Sequence, residues 1–291
     1  MVLLLFLGCY TLPGQPVADL GHATFLEKDR ALVEEILNLN LAEKESPIST
    51  LMVKVGLHFL DTPYVAHTLE TDEEKLVINV REVDCTTFAE YCLALSKTIQ
   101  SSNPSFEQFA TQLQRIRYRN GTINGYPSRL HYFCDWIYNN QKKEIVVDLS
   151  KEIAHTPLPK RIDFMSTHPE SYAQLKENPE WVDVIAKQEQ EISDRETYYV
   201  PESLLPEVEG QFMEGDIVGI TTGVKGLAIS HVGILVKRSG RIHLLHASSA
   251  AGKVVVSENT LEIYLKNSKS ATGVMVARPL QEPKEKQVRV N

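Results

Sequence analysis

The sequence predicts an α+β protein whose helices come first along the chain and whose strands follow. Up to about residue 150, apolar residues recur mostly at helical spacing. After Gly215, short apolar and β-branched runs alternate with turn residues, as strands do. Helices followed by strands indicate helices packed on an antiparallel sheet. We therefore expect one domain over residues 19–291, with a proline-rich, mixed elaboration at about 150–210.

The helices follow from their apolar periodicity. In the clearest of them, Phe88, Cys92, Leu95 and Ile99 recur on one face. The helices expected in this way cover residues 24–41, 50–60, 84–99, 106–116, 131–138 and 178–194. Residues 118–129 are rich in glycine and tyrosine and should form a loop.

The strands are shorter runs bounded by turn residues. They cover residues 216–221, 231–237, 241–247, 253–257 and 273–277. A further apolar run at 76–80 is strand-like. Aromatic residues are scattered through 150–210, so this stretch should elaborate the core rather than link two domains.

Composition and charge exclude several classes of protein. The chain has 291 residues, of which 43% are hydrophobic, 23% charged and 8% aromatic, as in ordinary globular proteins. Disordered, collagen-like and coiled-coil proteins are therefore excluded. The formal net charge is -8 and there is no long basic stripe, so we expect no nucleic-acid partner. We expect a monomer without a cofactor.

The N-terminus resembles a secretory leader. Residues 2–7 form an apolar run that is too short to span a bilayer and lacks a basic flank before it. Leu7-Gly8-Cys9 resembles the end of a bacterial lipoprotein signal. The alternative is a ragged apolar terminus or a misplaced start. We expect residues 1–18 to direct export to the periplasm or cell envelope, with a lipid anchor at Cys9 as one outcome.

The first candidate for chemistry is Cys85. Asp84 is a good N-cap, and Glu90 falls too late for a capping box, so the cap alone should hold the helix start. Cys85 then lies in the first turn, where free N–H groups and the helix dipole favour a thiolate nucleophile. Cys92 lies on the apolar stripe and Cys134 lies among aromatic residues, so both should pack in the core.

A cysteine nucleophile needs a base, and the base needs an orienting partner. A two-residue loop at 239–240 would place His231 opposite Ser248, with His246 as its diagonal neighbour on the same face. His243 would then point to the opposite face. A three-residue loop would reverse this choice.

The same residues allow other roles. Zinc binding by His231, His246 and Cys85 is one alternative, but the close CxxC or HxxxH spacing of metal sites is absent, so we expect no metal. For Asp216, a structural role at the start of a strand is a simpler interpretation than a catalytic one. Tyr64 follows a turn and is either a core aromatic residue or a hydroxyl at the mouth of a cleft; the residues alone leave both open.

Taken together, the segments resemble the NlpC family of papain-like cell-wall hydrolases. The resemblance spans about residues 50–280 and depends on the order Pro63-Tyr64, Asp84-Cys85, Gly215-Asp216-Ile217-Val218, Ser230-His231-Val232-Gly233-Ile234 and His246-Ala247. Residues 81–88, 118–121 and 125–133 resemble its N-acetylmuramoyl-L-alanine amidase-like branch. The Thr86-Thr87 pair, where the wider family usually has Ser-Gly, also favours that branch.

The resemblance implies a papain-like core in which Cys85 is the nucleophile, His231 the base and His246 the orienting residue. It implies peptidoglycan fragments (muropeptides) as substrates and an acyl-thioester intermediate. The branch implies cleavage between the muramoyl lactyl group and L-alanine. The wider family cleaves γ-D-glutamyl-diamino acid bonds, with a tyrosine, an aspartate and a serine binding the free amino terminus. Matching residues keep that alternative open: Tyr64, Asp84 and Ser230.

The loop at 126–131, which contains Tyr126, and the elaboration at 150–210 are candidates for reshaping the substrate pocket. Arg129 either pairs with a substrate carboxylate or has a structural role. Acyl transfer to an amine, as in transglutaminase-like proteins, would use the same residues. A non-catalytic envelope-binding protein is a further alternative, although the intact Cys85, His231 and His246 set argues against it.

Overall fold

The computed structural model describes residue 21 and residues 23–281; the predicted leader and Cys9 lie outside them. The α-helices are α1 (Glu27–Asn40), α2 (Ile48–His58), α3 (Cys85–Gln100), α4 (Phe106–Arg117), α5 (Phe133–Lys142), α6 (Ser150–Ala154), α7 (Phe164–Thr167), α8 (Ala173–Glu177), α9 (Glu180–Ser193), α10 (Leu205–Val208) and α11 (Leu261–Lys266). The strands are β1 (Ala23–Thr24), β2 (Leu76–Val77), β3 (Val146–Asp148), β4 (Thr156–Pro157), β5 (Tyr198–Pro201), β6 (Ile217–Thr222), β7 (Ile229–Arg238), β8 (Arg241–Ser248), β9 (Lys253–Thr260) and β10 (Ala271–Pro279).

The predicted helices and strands are present, with local differences at their ends, but the structure also contains elements that were not predicted: β1, β3–β5, α6–α8, α10 and α11. Helix α1 begins later than expected because β1 precedes it and pairs in parallel with β2. The apolar run at 76–80 contributes only the short strand β2. Helix α5 begins at Phe133 rather than His131 and continues to Lys142. No helix among residues 23–281 is both long and apolar enough to cross a membrane.

The main sheet is antiparallel and has helices on both faces, with α2 and α3 on one side and α6, α10 and α11 on the other. In the described part of the chain its strands follow the order β4-β5-β10-β6-β7-β8-β9, with β3 also paired to β10. Helices α2 and α3 pack against it, and Gly56 makes the approach of α2 possible. A Cβ atom on Gly56 would lie 2.7 Å from Cδ2 of Leu245. The fold is α+β, as predicted.

The stretch at 150–210 is joined to this sheet and is not a free linker. Strand β5 pairs with β10 through Val200 and Val274. A buried carboxylate, Glu189 on α9, accepts hydrogen bonds from the Tyr132 hydroxyl (2.5 Å) and from the backbone N–H groups of Met165 and Ser166. The stretch therefore holds residues 164–167 against the segment that leads into α5.

Candidate active site

The start of α3 fixes the position of Cys85. Oδ1 of Asp84 accepts hydrogen bonds from the backbone N–H groups of Thr86 (3.0 Å) and Thr87 (2.8 Å), so Asp84 is the N-cap, as predicted. The expectation that the cap acts alone is wrong, because Thr87 Oγ1 accepts the Asp84 N–H at 2.9 Å. This reciprocal pair holds Cys85 as the first residue of the helix.

The hairpin of β7 and β8 brings two imidazoles together. Its register pairs Ile234 with Leu245 and Arg238 with Arg241, which confirms the predicted two-residue loop. Nε2 of His231 lies 2.7 Å from Nδ1 of His246. His243 is turned elsewhere, and its Nδ1 donates to the Ser257 carbonyl.

Two backbone features make room for this histidine pair. Ser230 is an extra residue in β7, since His231 pairs with Ile220 whereas Ile229 pairs with Thr221. Such a bulge redirects the neighbouring side chain, and bulges are common beside functional sites. Gly233 provides the second feature, because a Cβ atom there would lie 3.2 Å from Cβ of His246.

A cavity of about 190 Å³ opens beside Cys85 and His231. Its walls come from the start of α3, the segment leading into α5, the elaboration and β7. The lining residues are Cys85, Thr86, Leu130, His131, Tyr132, Phe133, Cys134, Met165, Tyr172, Leu227, Ile229, Ser230, His231 and Val232. The cysteine and histidine predicted from the sequence therefore face one space.

Tyr264 on α11 packs against both histidines, which the sequence did not indicate. Its ring centroid lies 6.5 Å from that of His231 and 5.4 Å from that of His246. The two imidazoles are nearly perpendicular to each other, at 84°. Tyr264 belongs to a short helix that carries no recognisable motif, so only the packed fold reveals its place.

The resting charge of Cys85 differs from the expectation. Burial, together with the neighbouring Asp84 carboxylate, raises the pKa of the Cys85 thiol to about 11. The Val232 backbone N–H and the Thr86 side chain favour the thiolate but do not outweigh burial. The prediction of a low-pKa thiolate is therefore wrong for the free protein: the sulfur carries its proton near neutral pH.

Both histidines are uncharged near neutral pH. Burial lowers the pKa of His231 to about 4, although Asp84 acts in the opposite direction. Burial and the nearby His231 lower the pKa of His246 to about 3. A neutral His231 whose Nε2 is engaged with His246 has Nδ1 available to accept a proton. The site thus combines a neutral thiol with a neutral imidazole.

Tyr64 and Ser230 lie near these groups. Tyr64 is half-buried, pairs with Val83 just before the start of α3, and its pKa is raised by burial and by the charges of Cys85 and Asp84. Ser230 lines the cavity. Asp84 lies beside Cys85 and directs Oδ1 into its own helix.

Tyr126 and Arg129 are not brought to the cavity wall. Tyr126 is buried and stacks on Trp181 with ring centroids 6.1 Å apart. The Arg129 guanidinium is buried and lies 2.9 Å from Glu70 and 3.4 Å from Glu74. Its charge is neutralised inside the protein, which supports the structural alternative for Arg129.

The remaining described cysteines are unpaired and hold their protons. Cys92 is fully buried, as predicted, and burial raises its pKa well above the usual range. Burial raises the pKa of Cys134 to about 12. Cys134 also lines the cavity, so it is not purely a core residue as the sequence predicted. Within residues 23–281 there is no group of three or more side chains suited to hold a metal ion.

Fold and site together define a mixed α+β protein with a cysteine and two histidines at one cavity. Residues 54–274 match the family model described as AmiA-like, N-acetylmuramoyl-L-alanine amidase-like. The chain belongs to this family. No significant match was found among curated protein sequences.

Solved structures agree with this assignment. The chain is similar to an N-acetylmuramoyl-L-alanine amidase from Bacteroides uniformis, with 42% identity, a TM-score of 0.77 and coverage of 80% of this chain and 99% of that one. A Bacteroides fragilis protein named as a xylanase is 47% identical over 77% of this chain and 98% of that one, with a TM-score of 0.73. A Legionella pneumophila protein shares the fold at 20% identity, with a TM-score of 0.64 and coverage of 88% and 95%.

Proposed function

We propose that this protein is a papain-like cysteine amidase that hydrolyses the bond between N-acetylmuramic acid and L-alanine in peptidoglycan fragments. One observation carries the proposal: Cys85 and His231 line the same cavity, and Nε2 of His231 is held 2.7 Å from His246. A nucleophile, a base and an orienting group form the set that acyl transfer requires. Membership of the amidase-like family supports the choice of substrate.

The reaction begins from the neutral pair. Nδ1 of His231 accepts the Cys85 proton as the sulfur attacks the amide carbonyl carbon, and His246 stabilises the imidazolium that forms. The backbone N–H of Cys85, at the start of α3, is a donor for the developing oxyanion. His231 then protonates the leaving amine. Water deprotonated by His231 finally hydrolyses the thioester.

The chemistry of the cavity supports the muramoyl–alanine bond. None of its described lining residues is aspartate, glutamate, lysine or arginine, so the space suits uncharged sugar, lactyl and alanyl groups. The endopeptidase alternative needs an anionic partner for a free amino terminus. Asp84, with Tyr64 and Ser230 close to the same helix start, keeps that alternative testable.

A glycosidase function, suggested by the name of one similar protein, is not supported. Glycoside hydrolysis by the usual route needs two carboxyl groups flanking the bond. No carboxyl group lines this cavity among the described residues. The cysteine–histidine set instead favours attack on an acyl carbon.

The test uses a disaccharide-tripeptide muropeptide and mass spectrometry of the products. Free disaccharide plus intact tripeptide is the expected result, whereas release of the diamino acid would identify an endopeptidase. Cys85→Ala and His231→Asn should both abolish turnover. His243→Asn is the matched control, since it changes a histidine on the other face of the same hairpin. Turnover by Cys85→Ala, or no turnover by the unaltered protein, would overturn the proposal.

We also propose that residues 1–18 export the protein to the periplasm or cell envelope. The apolar run and Cys9 in the sequence support this location. Fractionation of cells that produce the full chain tests it, with Cys9→Ser as the matched variant. Membrane attachment lost in that variant would identify lipidation, and recovery in the cytoplasm of both forms would overturn export.

A further inference from the structure

A third histidine, His131, faces the same cavity as Cys85 and His231. It lies just before α5, on the segment predicted to reshape the pocket, and it takes no part in the His231–His246 pair. The proposed reaction gives it no role. The hydrogen bond that His131 makes within the protein nevertheless determines which of its ring nitrogens can bind a ligand.

The hydrogen bond fixes which ring nitrogen carries the proton. Nε2 of His131 lies 2.9 Å from the Tyr126 carbonyl, which can only accept, so Nε2 is the donor. Burial, with the charge of Arg129 next in effect, lowers the pKa of His131 to about 3, so the ring is neutral. Nδ1 is therefore a bare acceptor. Among the residues that the structure describes, none donates a hydrogen bond to it.

The orientation of the ring is set by packing against Tyr126, which is itself held by a second aromatic ring. The centroid of the Tyr126 ring lies 4.3 Å from that of His131. Tyr126 in turn stacks on Trp181 of α9 at an interplanar angle of 8°. Gly125 permits this approach, since a Cβ atom there would lie 3.3 Å from Trp181. A ring held in this way keeps its acceptor in one place before any ligand arrives.

The surroundings explain why an acceptor matters here. The described lining residues include Thr86, Tyr172 and Ser230, which carry hydroxyl groups, and none carries a carboxylate. The Tyr132 hydroxyl is already bonded to Glu189. Two side-chain nitrogens among the lining residues carry no hydrogen: Nδ1 of His231, which the proposed reaction uses as the base, and Nδ1 of His131, which it does not use. Nδ1 of His131 has no hydrogen to offer an oxyanion, so it suits a donor group of the substrate.

We propose that His131 is a substrate-positioning residue whose Nδ1 accepts a hydrogen bond from an amide N–H or hydroxyl group of the bound muropeptide. This rests on the proposed function. The residue holds the ligand and takes no proton in the reaction. The expected effect of losing it is therefore on binding of the substrate rather than on the chemistry of Cys85.

Two substitutions separate the two ring nitrogens. In His131→Gln the amide nitrogen can replace Nε2 as the donor to Tyr126, whereas the acceptor at Nδ1 is lost. In His131→Asn the amide oxygen lies near the former Nδ1, whereas the bond to Tyr126 is lost. We expect His131→Gln to raise KM about tenfold with little change in kcat, as for one lost hydrogen bond. We expect His131→Asn to have a KM closer to that of the unaltered protein than His131→Gln has. Its melting temperature should be lower than that of His131→Gln, because the bond to the Tyr126 carbonyl is lost.

The controls distinguish positioning from folding. His243→Gln and His243→Asn change a histidine that also bonds a backbone carbonyl, that of Ser257, away from the cavity. Both should keep the KM of the unaltered protein. His131→Gln should also keep the rate at which iodoacetamide alkylates Cys85. An unchanged KM in His131→Gln, or an equal increase of KM in both His131 variants, would overturn the inference.

Calorimetric binding of the muropeptide to the Cys85→Ala protein separates this inference from the proposed function. Weaker binding after His131→Gln in that background supports the positioning role even if the unaltered protein cuts a different bond or none. Binding of equal strength in the two proteins, or no binding to either, overturns it. Turnover by the unaltered protein is scored separately and decides the function alone.

Discussion

Nε2 of His231 and Nδ1 of His246 lie 2.7 Å apart, with the two ring planes at 84°. One ring must donate an N–H to the other. If Nδ1 of His231 is to accept the Cys85 proton, Nε2 of His231 must carry the hydrogen and His246 must accept it. The tautomer of His231 thus depends on its contact with His246.

Replacement of His246 tests that contact. His246→Ala should lower kcat about 10²- to 10⁴-fold, because the base loses its fixed tautomer and its stabilising partner. His246→Asn places an amide oxygen near the former Nδ1 and should retain much more activity. Steady-state kinetics on the muropeptide measure both. Equal kcat values for the two variants would contradict an orienting role for His246.

Alkylation of Cys85 should accelerate with pH rather than level off below neutrality. The thiol, with a pKa of about 11, gains thiolate about tenfold per pH unit through the neutral range. Iodoacetamide labelling between pH 6 and pH 9, followed by peptide mass spectrometry, measures this rate. The Cys85→Ala protein reports labelling elsewhere, and Cys92, which has no exposed surface, should stay unlabelled. A plateau below pH 7 would indicate a resting thiolate–imidazolium pair instead.

Gly233→Ala should damage both stability and activity. The added Cβ atom would lie 2.5 Å from Cδ1 of Leu244 and 3.2 Å from Cβ of His246. Overpacking of this kind costs about 1–3 kcal/mol of unfolding free energy and should displace His246. Gly223→Ala is the control, since its Cβ atom would meet only the Ser270 carbonyl, at 3.7 Å. Denaturant unfolding and steady-state kinetics are the measurements. A free energy of unfolding and a kcat equal to those of the unaltered protein would contradict this prediction.

Stability should fall as the pH drops below 6.5. The unfolded chain protonates its histidines near pH 6.5. The folded protein does not protonate His246 until about pH 3 or His231 until about pH 4. The unfolded state therefore binds more protons between these limits, and stability present above pH 6.5 is lost on acidification. Buried His246 alone contributes at most about 1.4 kcal/mol per pH unit, a slope that is reached well below pH 6.5.

Urea unfolding at pH 7, 6 and 5 measures this loss, in a range above that in which most carboxyl groups titrate. His246→Gln should give a shallower dependence, because it removes one of the histidines concerned. A constant free energy of unfolding from pH 7 to pH 5 would show that these imidazoles are protonated in the folded protein.

The parts of the site that the sequence predicted are those fixed by local geometry. Asp84 caps α3 through residues two and three positions further on. The loop at 239–240 sets the register of β7 and β8, which decides between His246 and His243 without knowledge of the rest of the fold. Both inferences need only a short segment and its turn chemistry.

The parts that the sequence missed depend on residues distant in the chain. Arg129 is neutralised by Glu70 and Glu74, and Tyr126 is covered by Trp181, so neither reaches the cavity. The pKa of Cys85 depends on burial by several elements, which outweighs the helix start visible in the sequence. Tyr264 reaches the histidines only through packing of α11.

Glu189 joins two walls of the cavity, so protein engineering cannot treat them as independent parts. One carboxylate oxygen accepts from the Tyr132 hydroxyl and from the N–H groups of Met165 and Ser166, and both Tyr132 and Met165 line the cavity. Excision of residues 150–210 would leave the Tyr132 hydroxyl without its acceptor. A graft of this pocket onto another scaffold must therefore transplant both segments together, because neither wall keeps its shape alone.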